Sequence, residues 1–366
     1  MTDKIGVYIH IPFCVRKCPY CDFYSTGFRE TSADEYTQKL CSAVETIGGT
    51  LQRQADTLYF GGGTPSILGA ERLCRMITTV KNIFLLDKNA EVTVEVNPSK
   101  QDIDFDKLRK GGVNRLSIGL QSADDKELKL LGRLHDTEQA KKCIAQAKNA
   151  GFENLSLDLM LATPRQTKNS LEKSIAFCAE QKVQHISAYL LKVEEGTRYF
   201  AERDKLDLCG DDEQAEMYLF AVEKLREYGF EQYEISNFCK AGFESRHNLK
   251  YWHDEEYIGI GPSAHSYIDG RRFYFERSFE DFYQLQTIPD GAGGSMEEFA
   301  MLALRLSEGL LQERFQKRFH EDIPKSYIHN AQKLSSTGLL SVDNEGIRLT
   351  PEGFLLSNSI IAAILT

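Results

Sequence analysis

The sequence predicts an α/β protein: a parallel sheet covered by helices, followed by a small helical domain. Three observations carry that reading. Short runs rich in Val, Ile, Leu, Tyr and Phe recur through the first two-thirds of the chain, helical patterns separate them, and the alternation stops after about Phe273.

The β-like runs are Ile5–Ile11, Thr57–Phe60, Glu91–Val96, Asn114–Leu120, Asn154–Leu161 and His185–Leu191. Between them, a capping-box pattern at Ser32 and Glu35 predicts a helix over Ala33–Ile47. Further helices are expected from Ser66 to Phe84, over Asp104–Lys110, over Asp136–Ala150 with a capping box at Asp136 and Gln139, over Lys168–Gln181 and over Glu213–Tyr228. Strand and helix repeated in this way predict an all-parallel sheet with right-handed crossovers. Periodicity alone does not choose between an open doubly wound sheet and a curved partial barrel. Beyond Phe273, helices over Glu297–Ser307, Glu313–Phe319 and Lys325–Thr337 precede a hairpin around Asn344 and Gly346, a winged-helix-like arrangement. The domains expected are therefore 1–272 and 273–366.

The chain of 366 residues carries a formal net charge of -10, which argues against a broad nucleic-acid-binding face and gives the winged-helix-like tail a packing or partner role. No apolar run reaches the ~20 residues needed to span a bilayer. The first residues read as a strand and not as a signal peptide, so a cytoplasmic protein is expected, with peripheral membrane contact left open. Six of the nine cysteines are scattered and read as small core residues.

The other three are close together. Cys14-x3-Cys18-x2-Cys21 follows the first strand directly, and Pro12 and Pro19 keep the loop out of helix. Three readings compete: three free thiols by chance, a zinc site with His10 as fourth ligand, and an iron–sulfur cluster with one iron lacking a protein ligand. Other polar groups fall at the carboxyl ends of the next strands: Gly61-Gly62-Gly63-Thr64-Pro65, Glu95 with Asn97, Gln121 with Ser122, and Asp158. In parallel α/β folds that edge binds ligands. Each group also has a plain structural reading: a tight turn for the glycines, a helix cap for Glu95, a solvated helix position for Arg133. The sharper readings are close backbone approach to a ligand, ligand donors for Asp158, and a carboxylate clamp for Arg133.

The motifs YIHIPFC ending at Cys14, LYFGGGTP ending at Pro65, EVNP from Glu95, NRLSIGLQ ending at Gln121, YEISNF from Tyr233, SRHNLKYW ending at Trp252 and YIGIGP from Tyr257 follow one another in order. Together they resemble the radical SAM superfamily, and within it the oxygen-independent coproporphyrinogen III oxidase family. The resemblance implies a partial (β/α)6 barrel, a [4Fe–4S] cluster on Cys14, Cys18 and Cys21, and S-adenosylmethionine (SAM) at the open iron. The residues matching the family's SAM contacts are Tyr8, Tyr20, Gly62, Gly63, Thr64, Glu95, Gln121, Arg133 and Asp158, with His265 as a further one.

The family has a decarboxylating oxidase branch and a heme-chaperone branch. The oxidases have a fourth cysteine where this chain has Phe23, and a longer arm before the first strand. The stretch from His247 to Trp252 resembles the HNxxYW motif of the chaperones. That implies heme or another tetrapyrrole as ligand, with His247 as axial ligand and Arg246 and Lys250 beside its propionates; locally, a Tyr-Trp pair that simply packs is the alternative. The partners implied are heme-accepting respiratory proteins and an electron donor such as flavodoxin or ferredoxin. One departure is noted: LATPRQT after the fifth strand lacks the family's glycine at 161 or 162 and adds Arg165.

Overall fold

The computed structural model describes residues 4–99 and 102–366. Its strands, in chain order, are β1 Ile5–Ile11, β2 Ala55–Gly62, β3 Glu91–Val96, β4 Arg115–Gln121, β5 Asn154–Leu161, β6 His185–Leu190, β7 Glu231–Glu234, β8 Asn237–Cys239, β9 Tyr257–Ile260, β10 His265–Ile268, β11 Arg271–Phe275 and β12 Thr287–Ala292. They form one 12-stranded sheet in the order β12-β11-β10-β9-β1-β2-β3-β4-β5-β6-β8-β7. β9 and β1 through β6 are mutually parallel, whereas β8 and β7 at one end and β10 to β12 at the other are antiparallel. The two edges do not pair, so the barrel is partial and open.

The parallel centre follows from its sequence. Alternate positions point to opposite faces of a strand. One face is apolar and buried (Leu58 and Phe60, Val92 and Val94, Leu116 and Ile118, Leu155 and Leu157), and the helices cover it. The other face is polar: Thr57 and Tyr59, Thr93 and Glu95, Arg115 and Ser117, Ser156 and Asp158, His185 and Tyr189. A hydrophobic outer face and a polar inner face are what a curved sheet with a functional interior requires.

Three expectations are corrected. The first helix starts at Glu30 with Arg29 at its cap and no side-chain cap bond, so Ser32 and Glu35 lie inside it. The capping box at Asp136 and Gln139, by contrast, is present. The sheet is parallel only at its centre, because Tyr257–Ile260 joins β1 in parallel and then turns back through tight hairpins. The boundary at 272/273 falls inside β11, whose partner β12 carries the same sheet to Ala292.

After that the chain forms helices Met296–Ala303, Gln312–Phe319, Lys325–Leu334 and Ser357–Leu365 around a small sheet of Leu310–Leu311, Gly346–Leu349 and Leu340–Val342. Its apolar residues belong to the same core as the barrel's. At the junction the fully buried carboxylate of Asp254 accepts from Arg272 at 3.1 Å and from Arg318 at 2.6 Å, pairing a barrel residue with the hairpin and with the appendage. Among the described residues, no helix is long and apolar enough to cross a membrane.

Candidate cluster and SAM site

The cysteine loop leaves β1 and is closed at its base: Phe13–Cys14 pairs in parallel with Thr26–Gly27, and Thr26 N donates to Pro12 O at 2.7 Å. Within it Cys21 N donates to Cys18 O at 3.1 Å, a tight turn that keeps the last two thiols on one bend. All three thiols are half-buried, and burial pushes those of Cys14 and Cys21 up. As free thiols Cys14 and Cys21 stay protonated at neutral pH; bound iron would replace the protons.

The zinc reading fails on geometry. His10 is 4% exposed, and its ring nitrogens are 3.1 Å from Tyr8 Oη and 3.0 Å from the carbonyl of Tyr24. Among the described residues, no three His, Cys, Asp or Glu side chains converge on a single ion. A mononuclear zinc site needs that convergence. A [4Fe–4S] cluster does not, because each thiolate takes its own iron.

Behind the loop lies an open cleft with about 1300 Å³ of empty space, the solvent at its mouth included. Its lining contains the three cysteines, Tyr20, Gly62, Gly63, Thr64, Glu95, Gln121, Arg133 and Asp158. Sequence reasoning thus brings together all of its proposed contacts except Tyr8, which lies deeper on the inner face, and His265, which lies outside the cleft. It missed Ser117, Gly119 and Tyr189, which also line it. The available signal was period two: Ser117 and Gly119 share a strand face with Gln121.

Glu95 and Asp158 form the floor. Glu95 Oε1 accepts from Tyr59 Oη at 2.9 Å and Oε2 from Gly62 N at 3.2 Å. Burial, reinforced by the nearby Asp158 charge, pushes the Glu95 carboxyl up to about 7. Burial raises Asp158 to about 6, although Ser117 donates to it at 3.1 Å. Gln121 holds a left-handed φ of 70° at the strand end while Tyr189 Oη donates to its Oε1 at 2.9 Å, a strained backbone of the kind found at ligand sites.

Arg133 joins the sheet edge to the cysteine loop. It is half-buried; Nη2 donates to Asn97 Oδ1 at 2.5 Å and Gly119 O at 2.7 Å, and Nη1 approaches Cys18 Sγ at 3.8 Å. Asn97 donates onward to Thr64 Oγ1 at 2.8 Å, which sits 3.6 Å from Cys14 Sγ. The Nε of Arg133 is buried with no hydrogen-bond partner among the described residues. A cation with an unused donor suits a carboxylate, and two raised acids suit hydroxyl or ammonium donors. SAM carries all three, so the residues present fit it.

The glycine run acts differently from the expectation. Gly62 N is taken by Glu95, Gly63 N donates to Ile11 O at 2.8 Å and Thr64 N to Phe13 O at 2.8 Å. These amides are bonded within the chain and do not face the cleft as bare donors. A Cβ on Gly63 would lie 2.6 Å from Phe13 O and 2.9 Å from Ile11 O, so glycine here allows the second loop to seat against the cysteine loop. The LATPRQT departure is absorbed locally. Ala162 adopts φ 55° where glycine is easier, and Arg165 points outward, 3.5 Å from Asp207.

His247 is placed against expectation. It is 1% exposed; Nδ1 is 2.8 Å from Thr57 Oγ1 and Nε2 is 2.8 Å from Tyr251 Oη. Glu91 accepts from the backbone N of Arg246 and of His247, fixing the start of helix Arg246–Trp252. Lys250 is 4% exposed and paired at 2.9 Å with both Asp56 and Glu255. With both imidazole nitrogens bonded on the inner face of the sheet, His247 presents no lone pair to an iron, and Lys250 none of its charge to a propionate.

The comparisons agree with this geometry. A radical SAM superfamily model matches residues 8–178 and a HemN C-terminal domain model matches 295–356. The structure of coproporphyrinogen III oxidase (HemN) from Escherichia coli superposes with a TM-score of 0.84 at 23% identity, covering 99% of this chain and 90% of that one, which establishes the shared fold. The heme chaperone HemW of Bacillus subtilis is 35% identical over 98% of this chain and 99% of its own, and that of Escherichia coli 33% over 99% and 98%. A mitochondrial radical S-adenosyl methionine domain-containing protein 1 from Danio rerio is 32% identical over 100% and 89%. The chain is thus a radical SAM protein of the HemN/HemW type, a class that implies a [4Fe–4S] cluster and SAM. Within that class it belongs to the HemW family.

Proposed function

We propose that this protein is a cytoplasmic heme chaperone built on a radical SAM architecture. The observation that carries the reading is 33–35% identity, along nearly the whole chain, with proteins named heme chaperone HemW. Phe23 supports it, standing 65% exposed where the oxidases of the family carry a further cysteine.

In this reading Cys14, Cys18 and Cys21 hold the cluster. The cluster supplies one-electron chemistry at an iron open to SAM. Glu95 and Asp158 accept hydrogen bonds from SAM at the cleft floor, Arg133 pairs with its carboxylate, and Gln121 and Thr64 set the walls. Tyr20 closes one side, packed 6.2 Å from Tyr199. Heme is the cargo, respiratory heme proteins receive it, and a flavodoxin- or ferredoxin-like donor reduces the cluster.

The test is anaerobic iron–sulfide reconstitution followed by heme titration. The protein is expected to turn brown, to lose that colour when Cys14, Cys18 and Cys21 are replaced together, and to give a saturable Soret band. Conversion of coproporphyrinogen III by the reconstituted protein, with no saturable heme uptake, would reverse the assignment toward the oxidase.

A further inference from the structure

A histidine can ligate heme only as a neutral imidazole that reaches solvent. His10, His135, His185 and His247 are at most 5% exposed, and His253 bonds Glu308 at 3.0 Å. His320 and His329 are exposed but belong to the C-terminal appendage. On the barrel that leaves His265, whose side chain is 58% exposed. Its ring stacks on Tyr274 at 4.9 Å and 23°, which covers one face and restricts its rotation. Nδ1 lies 3.9 Å from Asp290 Oδ2. A carboxylate beside Nδ1 favours the proton there and leaves the Nε2 lone pair for a metal. Partial burial holds the ring's proton affinity down, so it is neutral near pH 7.

His265 also stands at the cluster edge. β9 runs parallel to β1, so its carboxyl end opens on the side where the cysteine loop emerges, and β10 starts back from there with His265. The partner strand β11 leads to Arg277, which lies 3.6 Å from Asp22, the residue between Cys21 and Phe23. On the same loop, Val15 is 61% and Phe23 65% exposed, among the largest apolar exposures of the described residues. Lys17 is exposed before Cys18, and Arg16, also exposed, donates one Nη to Gly132 O at 2.6 Å and keeps its other N–H groups on the surface. Apolar side chains beside cations, in a chain of net charge -10, complement a flat apolar dianion.

We propose that heme docks on this outer rim, with His265 Nε2 as axial ligand, Phe23 against the porphyrin and the loop cations beside the propionates. The site rests on the chaperone reading and names where its cargo sits. Ligation donates the Nε2 lone pair to the iron and displaces an axial water, with no change of oxidation state.

The experiment titrates ferric heme into the full chain carrying its cluster, in parallel with His265→Ala, Phe23→Ser and His247→Asn. His265 is exposed, so its alanine variant is expected to fold normally. His265→Ala should move the Soret maximum and weaken binding about tenfold, with added imidazole restoring the band position. Phe23→Ser should weaken binding without moving the band, and His247→Asn should keep it. A His265→Ala protein with wild-type band and affinity overturns the site, as does a folded His247→Asn protein that loses the band. If Phe23→Ser slows cluster reduction by flavodoxin but takes up heme normally, the loop serves a protein donor and the porphyrin contact falls. If the wild type shows no saturable uptake, the chaperone reading falls and takes the site with it.

Discussion

The imidazole of His247 lies nearly parallel to the ring of Tyr59, with centroids 5.2 Å apart and planes at 25°. Tyr59 in turn donates to Glu95 in the cleft. The motif that sequence reasoning assigned to heme therefore supports the SAM floor from beneath. His247→Ala should leave Thr57 and Tyr251 hydroxyls unpaired beside a cavity and cost about 3 kcal/mol of stability. Denaturant unfolding measures that loss. SAM affinity should fall as Tyr59 loses its support, while the heme spectrum is kept. A lost heme spectrum with SAM binding intact would restore His247 as ligand.

Glu95 is a strong acceptor only when ionised, and burial raises its carboxyl to about 7. Its ionised fraction climbs between about pH 6 and 8, so SAM affinity of the reconstituted protein should climb over the same window. Glu95→Gln should bind about tenfold more weakly and keep only the lower-pH part of the rise, which comes from Asp158 as it ionises around pH 6, since hydrogen bonds to charged groups exceed neutral ones by about 1 kcal/mol or more. Calorimetric titration at several pH values separates the two. An unchanged profile in the glutamine variant would remove Glu95 from the contact.

Strands β1 to β6 are legible because each buries one face under helices, leaving short β-branched runs between turn residues. The cluster loop and cleft are legible because their chemistry sits at strand ends. Three features are not. Tyr257–Ile260 enters the sheet centre by pairing with β1, a partner about 250 residues away, and four-residue runs carry no periodicity. The bonded amides of Gly62, Gly63 and Thr64 depend on how one loop seats on another. His247 reads as a ligand because nothing in SRHNLKYW shows that Thr57 and Tyr251 occupy both its nitrogens.

Gly63→Ala should damage the site without touching a ligand atom. The added Cβ meets two backbone carbonyls, which cannot move aside as the end of a flexible side chain could. The two loops must separate, and with them the Thr64–Cys14 contact. We expect reconstituted iron content to fall by more than half and the protein to lose about 2 kcal/mol. Full iron loading at wild-type stability would show that the approach is not required.

Glu234 tests the electrostatics away from the site. Its carboxyl is fully buried; Oε2 accepts from Ser236 N at 3.2 Å, and Oε1 has no hydrogen-bond partner among the described residues. Burial raises it to about 7 from a reference of 4.5. A raised carboxyl binds protons more readily folded than unfolded, so its favourable contribution is complete below the unfolded value and is lost as pH rises through 7. The buried neutral histidines act in the opposite sense: His10 and His135 are lowered to about 4 and His247 to about 3, so they cost stability as pH falls. These opposing contributions flatten the stability profile of the parent protein. Subtracting parent from Glu234→Gln cancels the histidines and isolates one carboxyl. The variant should gain on the parent by about 2–3 kcal/mol between pH 4.5 and 7.5, at about 1.4 kcal/mol per unit at most. Denaturant midpoints across that range measure the gap. A gap that does not widen with pH would mean that Glu234 is solvated by a water or partner group and titrates normally.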